Sequence, residues 1–383
     1  MRRTLFESDH DEFRAVVRDF LGRKVVPEYP RWLAEEAVPR SFFAEIAAIG
    51  VQGLPFDPAY GGAGISDYRY NMVVQEEAAR AHVTLGTLRT QTDVIAPYFR
   101  EYCNDEQCRR WFGGIASGQL LTAIAMTEPG TGSDLAGVAT RAVRDGDHYV
   151  INGAKTFITG GGLADLVIVL ARTSIDDTDR RAGLSLIVVE AGTRGFEKGR
   201  KLTKLGLHVQ DTVELSFTDV RVPVANLLGQ EGMAFGYLGH NLGQERLAIA
   251  VGAMAQARSA VELTVDYVCG REVFGTTVAN FQNTRFELAA MSADVEAAQA
   301  MIDRAVSDLV DGQLSGPDAA RVKLFVTETQ GRVVDRCLQL FGGYGYITEL
   351  PIARLYADAR VSRIYGGTSE VMKSIIAKDL GLR

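Results

Sequence analysis

Apolar residues recur at helical spacing through roughly the first 120 positions of the chain. Between residues 9 and 26, Phe13, Val16, Val17, Phe20 and Leu21 fall on one helical face, and Pro27 marks its end. The pattern predicts further helices over 41–49 and 70–81, separated by the run LPFDPAYGGAG. That run reads as a loop, because glycine permits backbone angles closed to other residues. Near residue 121 the period changes. HYVINGAKTFIT, ADLVIVLART, GLSLIVVEAG and TVELSFTDVRV are short, rich in β-branched and aromatic residues, and bounded by Gly, Asp or Asn. Four such runs within about a hundred residues predict an antiparallel β domain rather than βαβ units. From residue 230 or so the helical period returns in longer stretches: 242–270, 281–310 (with a break before Pro317), 318–341 (ended by Gly342-Gly343) and 367–380. Long helices joined by short turns predict a bundle. The predicted fold class is therefore mainly α: an N-terminal helical domain (1–120), a central antiparallel β domain (121–228) and a C-terminal four-helix bundle (229–383).

Composition narrows the function without choosing it. The 383 residues are too many for one core, and 46% apolar with 23% charged residues describes a globular protein that folds without staples. A net charge of −7 argues against a nucleic-acid partner. No run of about 18 apolar residues predicts a membrane span. Cys103, Cys108, Cys269 and Cys337 form no CxxC pair, and with the histidines they show no metal-ligand spacing, so no metal is expected. Reduced thiols suit a cytoplasmic protein. The opening MRRTLFESDHDEF meets acidic residues before any apolar run and does not read as a signal peptide.

The glycine-rich runs fail the dinucleotide pattern GxGxxG. Leu135 stands at the third glycine position in one and Thr348 in the other, which argues against a Rossmann or P-loop site. His10, His82, His148, His208 and His240 read as surface or satisfied residues. Ser133 lies in GSD rather than in a GxSxG elbow, so no hydrolase triad is expected.

Seven segments in fixed order carry a further signal: AMTEPGTGSD (125–134), FIT (157–159), QERL (244–247), REVFG (271–275), FQNTRF (281–286), QLFGGYGY (339–346) and IYGGTSEVMK (364–373). Together, on the helix–β–helix layout, they make the sequence resemble the acyl-CoA dehydrogenase family along essentially its whole length. The resemblance implies an FAD-dependent dehydrogenase that converts an acyl thioester to the trans-2-enoyl thioester. The loop over 124–133 would wrap the flavin, with Met126, Thr127 and Ser133 at contacting positions. Phe157 would stack on the flavin and Thr159 meet its N5; many relatives carry Trp where Phe157 stands, and Phe keeps the stacking face but loses the indole donor. Arg271, Phe274 and Gln282 would reach the FAD of a neighbouring subunit, an Arg fork being suited to pyrophosphate. Gln339, Gly342 and Gly343 would grip the same adenine half, and Thr368 and Glu370 the cofactor of their own subunit. Ser133, Leu242, Arg246, Tyr365, Gly366 and Gly367 would line the substrate.

The base is the departure. Many members carry it as a glutamate just before GT, where this chain has Gly366-Gly367-Thr368. The isovaleryl- and long-chain branches place it in an ERL segment, matched here by Glu245-Arg246-Leu247. The resemblance thus implies Glu245 as base and the Gly366 amide, with a ribityl hydroxyl, as donors to the thioester oxygen. The alternative is that Glu245 merely favours a helix N-terminus through the macrodipole. Implied partners are acyl-CoA or an acyl carrier protein thioester, an electron-transfer flavoprotein or similar acceptor, and further copies of the chain as a dimer of dimers. An acyl carrier protein dehydrogenase in biosynthesis, an oxidase using O2, and a non-catalytic flavoprotein scaffold remain open.

Overall fold

The computed structural model describes residues 2–176 and 178–382. Helices α1 (Ser8–Phe20), α2 (Tyr29–Glu35), α3 (Ser41–Ala48), α4 (Tyr68–Arg80), α5 (Ala96–Tyr102) and α6 (Asp105–Ala116) build the N-terminal third. A capping box between Glu7 and His10 starts α1, and Asn104 with Gln107 starts α6 in the same way. The helix expected through residue 26 stops as an α-helix at Phe20 and continues as one wider turn, Leu21–Val25.

The middle of the chain forms strands β1 (Thr122–Ala125), β2 (Arg141–Asp145), β3 (His148–Thr159), β4 (Leu166–Arg172), β5 (Leu184–Glu190), β6 (Phe196–Lys201), β7 (Thr212–Pro223) and β8 (Leu227–Leu228). The order across the sheet is β6-β7-β3-β2-β4-β5-β8, with β1 paired to β4. Pairing is antiparallel as expected except at β4. There β1 runs parallel in register Thr122↔Leu166, and β2 meets it at one parallel pair, Arg141↔Arg172. The exception follows from chain order: the β2–β3 hairpin intervenes between β1 and β4, so both run the same way.

Leu166, Ile168 and Leu170 pack against Phe99, Trp111 and Phe112 of α5 and α6. Val167, Val169 and Ala171 pack the other way, against Ile151, Leu215 and Phe217. Burial on both faces is why this strand reads as an unbroken apolar run rather than an alternation.

The C-terminal part holds α7 (Ala234–Gly270), α8 (Gln282–Val310), α9 (Gly316–Leu340), α10 (Pro351–Ala359) and α11 (Ser369–Asp379). Helix α7 has 37 residues, about 55 Å at 1.5 Å each. It begins eight residues before the predicted start at Leu242, because Gly236, Gly239 and Gly243 masked its first turns. Pro317 lies inside the first turn of α9 rather than before it, where its missing N–H costs nothing, and the Ser315 hydroxyl caps the Asp318 amide at 3.1 Å. Ala248, Val251 and Met254 of α7 bury against Met291 and Val295 of α8 and Val326 of α9, and Tyr68 and Met72 of α4 join the same core. Helix α4 thereby clamps the N-terminal region onto α7. No helix among the described residues is long and apolar enough to cross a membrane.

Candidate active site

Glu245 lies about three turns inside α7, well past the first turn to which a helix dipole reaches, so the macrodipole alternative is set aside. Its side chain is 5% exposed, and Tyr98 of α5 donates its hydroxyl to Oε1 at 2.8 Å. Burial pushes the Glu245 carboxyl up to about 7, against the opposing pull of Tyr98 and the Arg246 charge. Arg246 is buried too, and its Nε finds no acceptor among the described residues.

One turn beyond Glu245, Ile249 presses its Cδ1 on the Cα side of Gly366. A side chain at 366 would collide with Ile249 and would also have to adopt φ +62°. The Ile249 end is flexible and can shift, so the left-handed backbone is what disfavours a side chain there. Gly367, at φ +93°, accepts a hydrogen bond from Lys323 of α9 through its carbonyl at 2.6 Å. Burial and the nearby Arg246 charge push the Lys323 ammonium down to about 8. Among the described residues no backbone acceptor pairs with the Gly366 amide. The structure thus gathers Gly366 and Gly367 around Ile249 and Lys323, with the Arg246 charge near Lys323, while Glu245 meets Tyr98 and Leu242 is half-buried one turn before it.

From Ile249 a cavity of about 110 Å³ runs along α7 past Gly252, Ala253 and Gln256, walled by α4 and by Tyr365. Arg89 enters it and donates to the Tyr365 hydroxyl at 3.1 Å, stacking over the ring at 5.4 Å.

A second region forms around β3. A register shift between Lys155 and Ile158 leaves Phe157 at φ +58° and 67% exposed. A large aromatic held outward in left-handed backbone is strained, which marks the position as one kept for contact rather than packing. The 126–134 loop is pinned beside it: the Thr156 amide donates to Thr127 at 2.9 Å, and buried Lys155 pairs with Glu128 at 2.8 Å. Glu128 also accepts the amides of Ala139 and Thr140, so the loop's base is fixed while Ser133 stays exposed. Thr159, half-buried, receives Gln210 at 3.5 Å, and Gln210 also lines the cavity.

The third region sits at the far end of α7. Arg271 lies over Tyr344 at 5.4 Å and shares a concave surface with Gly342 and Gly343. Phe274, 97% exposed at φ +51°, crowns the hairpin of β9 (Glu272–Val273) and β10 (Thr276–Thr277). Gln282 and Gln339 are exposed nearby in sequence, at the start of α8 and the end of α9. Thr368 caps α11, its hydroxyl accepting the Val371 amide at 3.3 Å, and Glu370 is exposed in that helix's first turn. Glu245 and Arg271 stand about 39 Å apart along one helix, so the two regions do not form one pocket within a chain.

Sequence reasoning did not single out Tyr98, Lys323 or Arg89. Lys323 was findable: it shares the buried stripe of α9 with Ala319, Ala320 and Val326, where a lysine is out of place. Nothing local to Tyr98 or Arg89 announces that a residue from another helix meets them. Among the described residues no group of His, Cys, Asp and Glu could hold a metal ion.

Comparison with known proteins covers nearly the whole chain. Three family models match in sequence order: acyl-CoA dehydrogenase N-terminal domain over residues 7–119, middle domain over 123–220 and C-terminal domain over 232–381. The mitochondrial long-chain specific acyl-CoA dehydrogenase of Sus scrofa is 41% identical over 378 residues, 99% of this chain and 88% of that protein. The crystal structure of an acyl-CoA dehydrogenase from Geobacillus kaustophilus matches with a TM-score of 0.97 and 42% identity, covering 100% of both chains. A glutaryl-CoA dehydrogenase from Mycobacterium smegmatis, solved in complex with FADH2, matches with a TM-score of 0.90 and 28% identity over 98% of this chain and 95% of that one.

Proposed function

This chain belongs to the acyl-CoA dehydrogenase family, an FAD flavoprotein family of oxidoreductases, and from that premise we propose that Glu245 removes the α-proton of an acyl-CoA. The observation that carries the reading is a buried carboxyl, raised to about 7, one helical turn from the isoleucine that packs on Gly366, whose amide meets no acceptor among the described residues. A base poised near neutrality is what proton abstraction from a weak carbon acid needs. The Gly366 amide donates to the thioester oxygen and stabilises the charge that develops there; removal of such a donor elsewhere costs roughly 3–4 kcal/mol. Tyr98 orients the carboxylate, and Ile249 and the bundle exclude water from it.

The residues fit FAD. Phe157 offers an aromatic face already turned outward, Thr159 a hydroxyl beside it, and Met126, Thr127 and Ser133 belong to a loop anchored at its base. When bound, FAD accepts the β-hydrogen of the acyl group as a hydride. Arg271, Gln282, Gln339, Gly342 and Gly343, too far along α7 to serve the same site, grip the pyrophosphate and adenine of a second copy's FAD, which makes the enzyme a homo-oligomer. Phe274 covers that junction. Tyr365, Gly367 and Leu242 line the acyl group, and an electron-transfer flavoprotein or similar protein takes up the electrons. Four free thiols suit a cytoplasmic setting.

The test is anaerobic. Titration of the holoenzyme with acyl-CoA thioesters should bleach the flavin band, with acyl carrier protein thioesters as the competing arm. A flavin that no thioester bleaches would falsify the reading, and rapid peroxide formation in air would reassign the enzyme as an oxidase.

A further inference from the structure

Two lysines are buried among the described residues, and they are provided for very differently. Lys155 is paired: its ammonium donates to the Glu128 carboxylate at 2.8 Å and to the Met126 carbonyl at 3.0 Å. Lys323, 1% exposed, has a single partner, the Gly367 carbonyl at 2.6 Å. Among the described residues no carboxylate reaches it. Glu328, further along α9, is taken by Ser369 at 2.7 Å and Arg363 at 3.4 Å. The charge that does act on Lys323 is that of Arg246, and it repels. Burying an ammonium without a counter-ion is unfavourable, because its water is lost and no anion replaces it. The start of α11, two residues beyond Gly367, adds the positive end of a helix dipole to the same place.

What lies against Lys323 is the turn that carries the unpaired Gly366 amide. A Cβ built on Gly366 would come 3.8 Å from Lys323 Cε, so the lysine stem passes beside that residue while its head holds the next one. Gly366 and Gly367 both stand at positive φ, +62° and +93°. Two adjacent glycines are the least constrained dipeptide a chain can have, and a donor amide among them could point in many directions. The bond from Lys323 removes that freedom. Arg246 differs from Lys323, since the Glu245 charge stabilises it. Lys323 is the cation left uncompensated.

We propose that Lys323 is a positioning residue for proton abstraction: it fixes the Gly366–Gly367 turn and holds a positive charge beside it, which the thioester oxygen answers as it turns negative. The inference rests on the proposed dehydrogenase reading and adds a group to it. Both effects act on the enolate-like oxygen and scarcely on the neutral thioester, so they lower the barrier without tightening substrate binding. Burial and Arg246 bring the group down only to about 8, which leaves it an ammonium at neutral pH.

The experiment reads deprotonation apart from redox chemistry. Acetoacetyl-CoA can lose an α-proton to give an enolate, but its β-carbon is already a carbonyl and has no hydrogen to give up. Its absorbance on the holoenzyme, followed against pH, yields the pKa of the bound thioester for wild type, Lys323→Met, Lys323→Gln and Lys323→Arg. Flavin content and melting temperature are checked for each. Lys323→Met should raise the bound pKa by about one to two pH units, a roughly 10–100-fold weaker hold on the enolate. In turnover of an alkyl acyl-CoA the same variant should lose a similar factor in kcat, with KM within about threefold of wild type. Lys323→Gln keeps a donor without the charge and should recover part of the shift, and Lys323→Arg, which keeps both, should recover more. An unchanged bound pKa in Lys323→Met, or full recovery in Lys323→Gln, overturns the inference and leaves the dehydrogenase reading intact. Failure of all three variants to fold or to hold flavin does the same, because the lysine then serves the core of the bundle. A wild type whose flavin no acyl thioester reduces overturns both.

Discussion

Helix α7 carries two surfaces of opposite kind. Along Glu245 and Ile249 the chain supplies its own neighbours: Tyr98 from α5 on Glu245, and Gly366 from the turn before α11 on Ile249, with Lys323 from α9 beside it, all buried or half-buried. Around Arg271 it supplies a cation, two glycines and a row of uncovered aromatics, with Phe274 97% and Tyr346 91% exposed. The first surface is complete within one chain and has a perturbed carboxyl to show for it. The second leaves apolar area in water, which a folded protein keeps only where another surface arrives. Under the proposed function, chemistry belongs to one end and shared cofactor binding, with assembly, to the other.

The sharpest way to break this comparison is Glu245→Gln. Flavin reduction by substrate, followed by stopped flow, should slow 10²–10⁴-fold or more while the FAD spectrum is unchanged. The same variant has a stability signature. Because the folded carboxyl titrates at about 7 rather than 4.5, the wild type holds its full contribution below about pH 4.5 and loses it as pH rises through 7. Glu245→Gln should therefore melt above wild type at pH 8 and not at pH 4. An unimpaired variant would move the base away from α7.

At the other end, Arg271→Ala should loosen FAD by roughly 10–100-fold and make flavin retention depend on protein concentration, as expected when one chain holds its neighbour's cofactor. Reduction per bound flavin should stay within a few-fold of wild type. If instead flavin binding is unchanged and independent of dilution, the far end of α7 has no part in it.

A smaller effect separates positioning from chemistry. The wild-type reduction rate in the absence of saturating substrate should rise with pH through about 7, since the base must be ionised. Tyr98→Phe removes a donor to the carboxylate, so its rising limb should move to higher pH, with less than about a tenfold loss at the plateau. A limb that stays put would mean that Tyr98 does not touch the ionised form.

Much of this was legible before the fold was seen, for identifiable reasons. The change of period at residue 121 tracks burial geometry, and β4 and β5 were clear because both their faces are covered. The resemblance led to Glu245 because a motif and a missing carboxylate pointed the same way. What was hidden is long-range. That Tyr98 reaches Glu245 across 147 positions, or that Arg89 meets Tyr365 across 276, leaves no local trace. The outward turn of Phe157 comes from a register shift between β3 and β7, which depends on both strands at once. The early start of α7 was hidden for the opposite reason: three glycines gave a local signal that tertiary packing overrode.

Those three glycines set a gradient of stiffness along the longest helix in the molecule. Gly236, Gly239 and Gly243 each cost about 1 kcal/mol against alanine in a helix interior, and at none of them would an added Cβ touch anything within 4 Å. The first turns of α7 should therefore exchange their amide hydrogens well before the alanine-rich segment after Glu245, whose packing locks it. Replacing all three with alanine should slow that exchange and raise the melting temperature, leaving every contact of the native state in place. Glu245 thus stands where a soft lever meets its rigid mount.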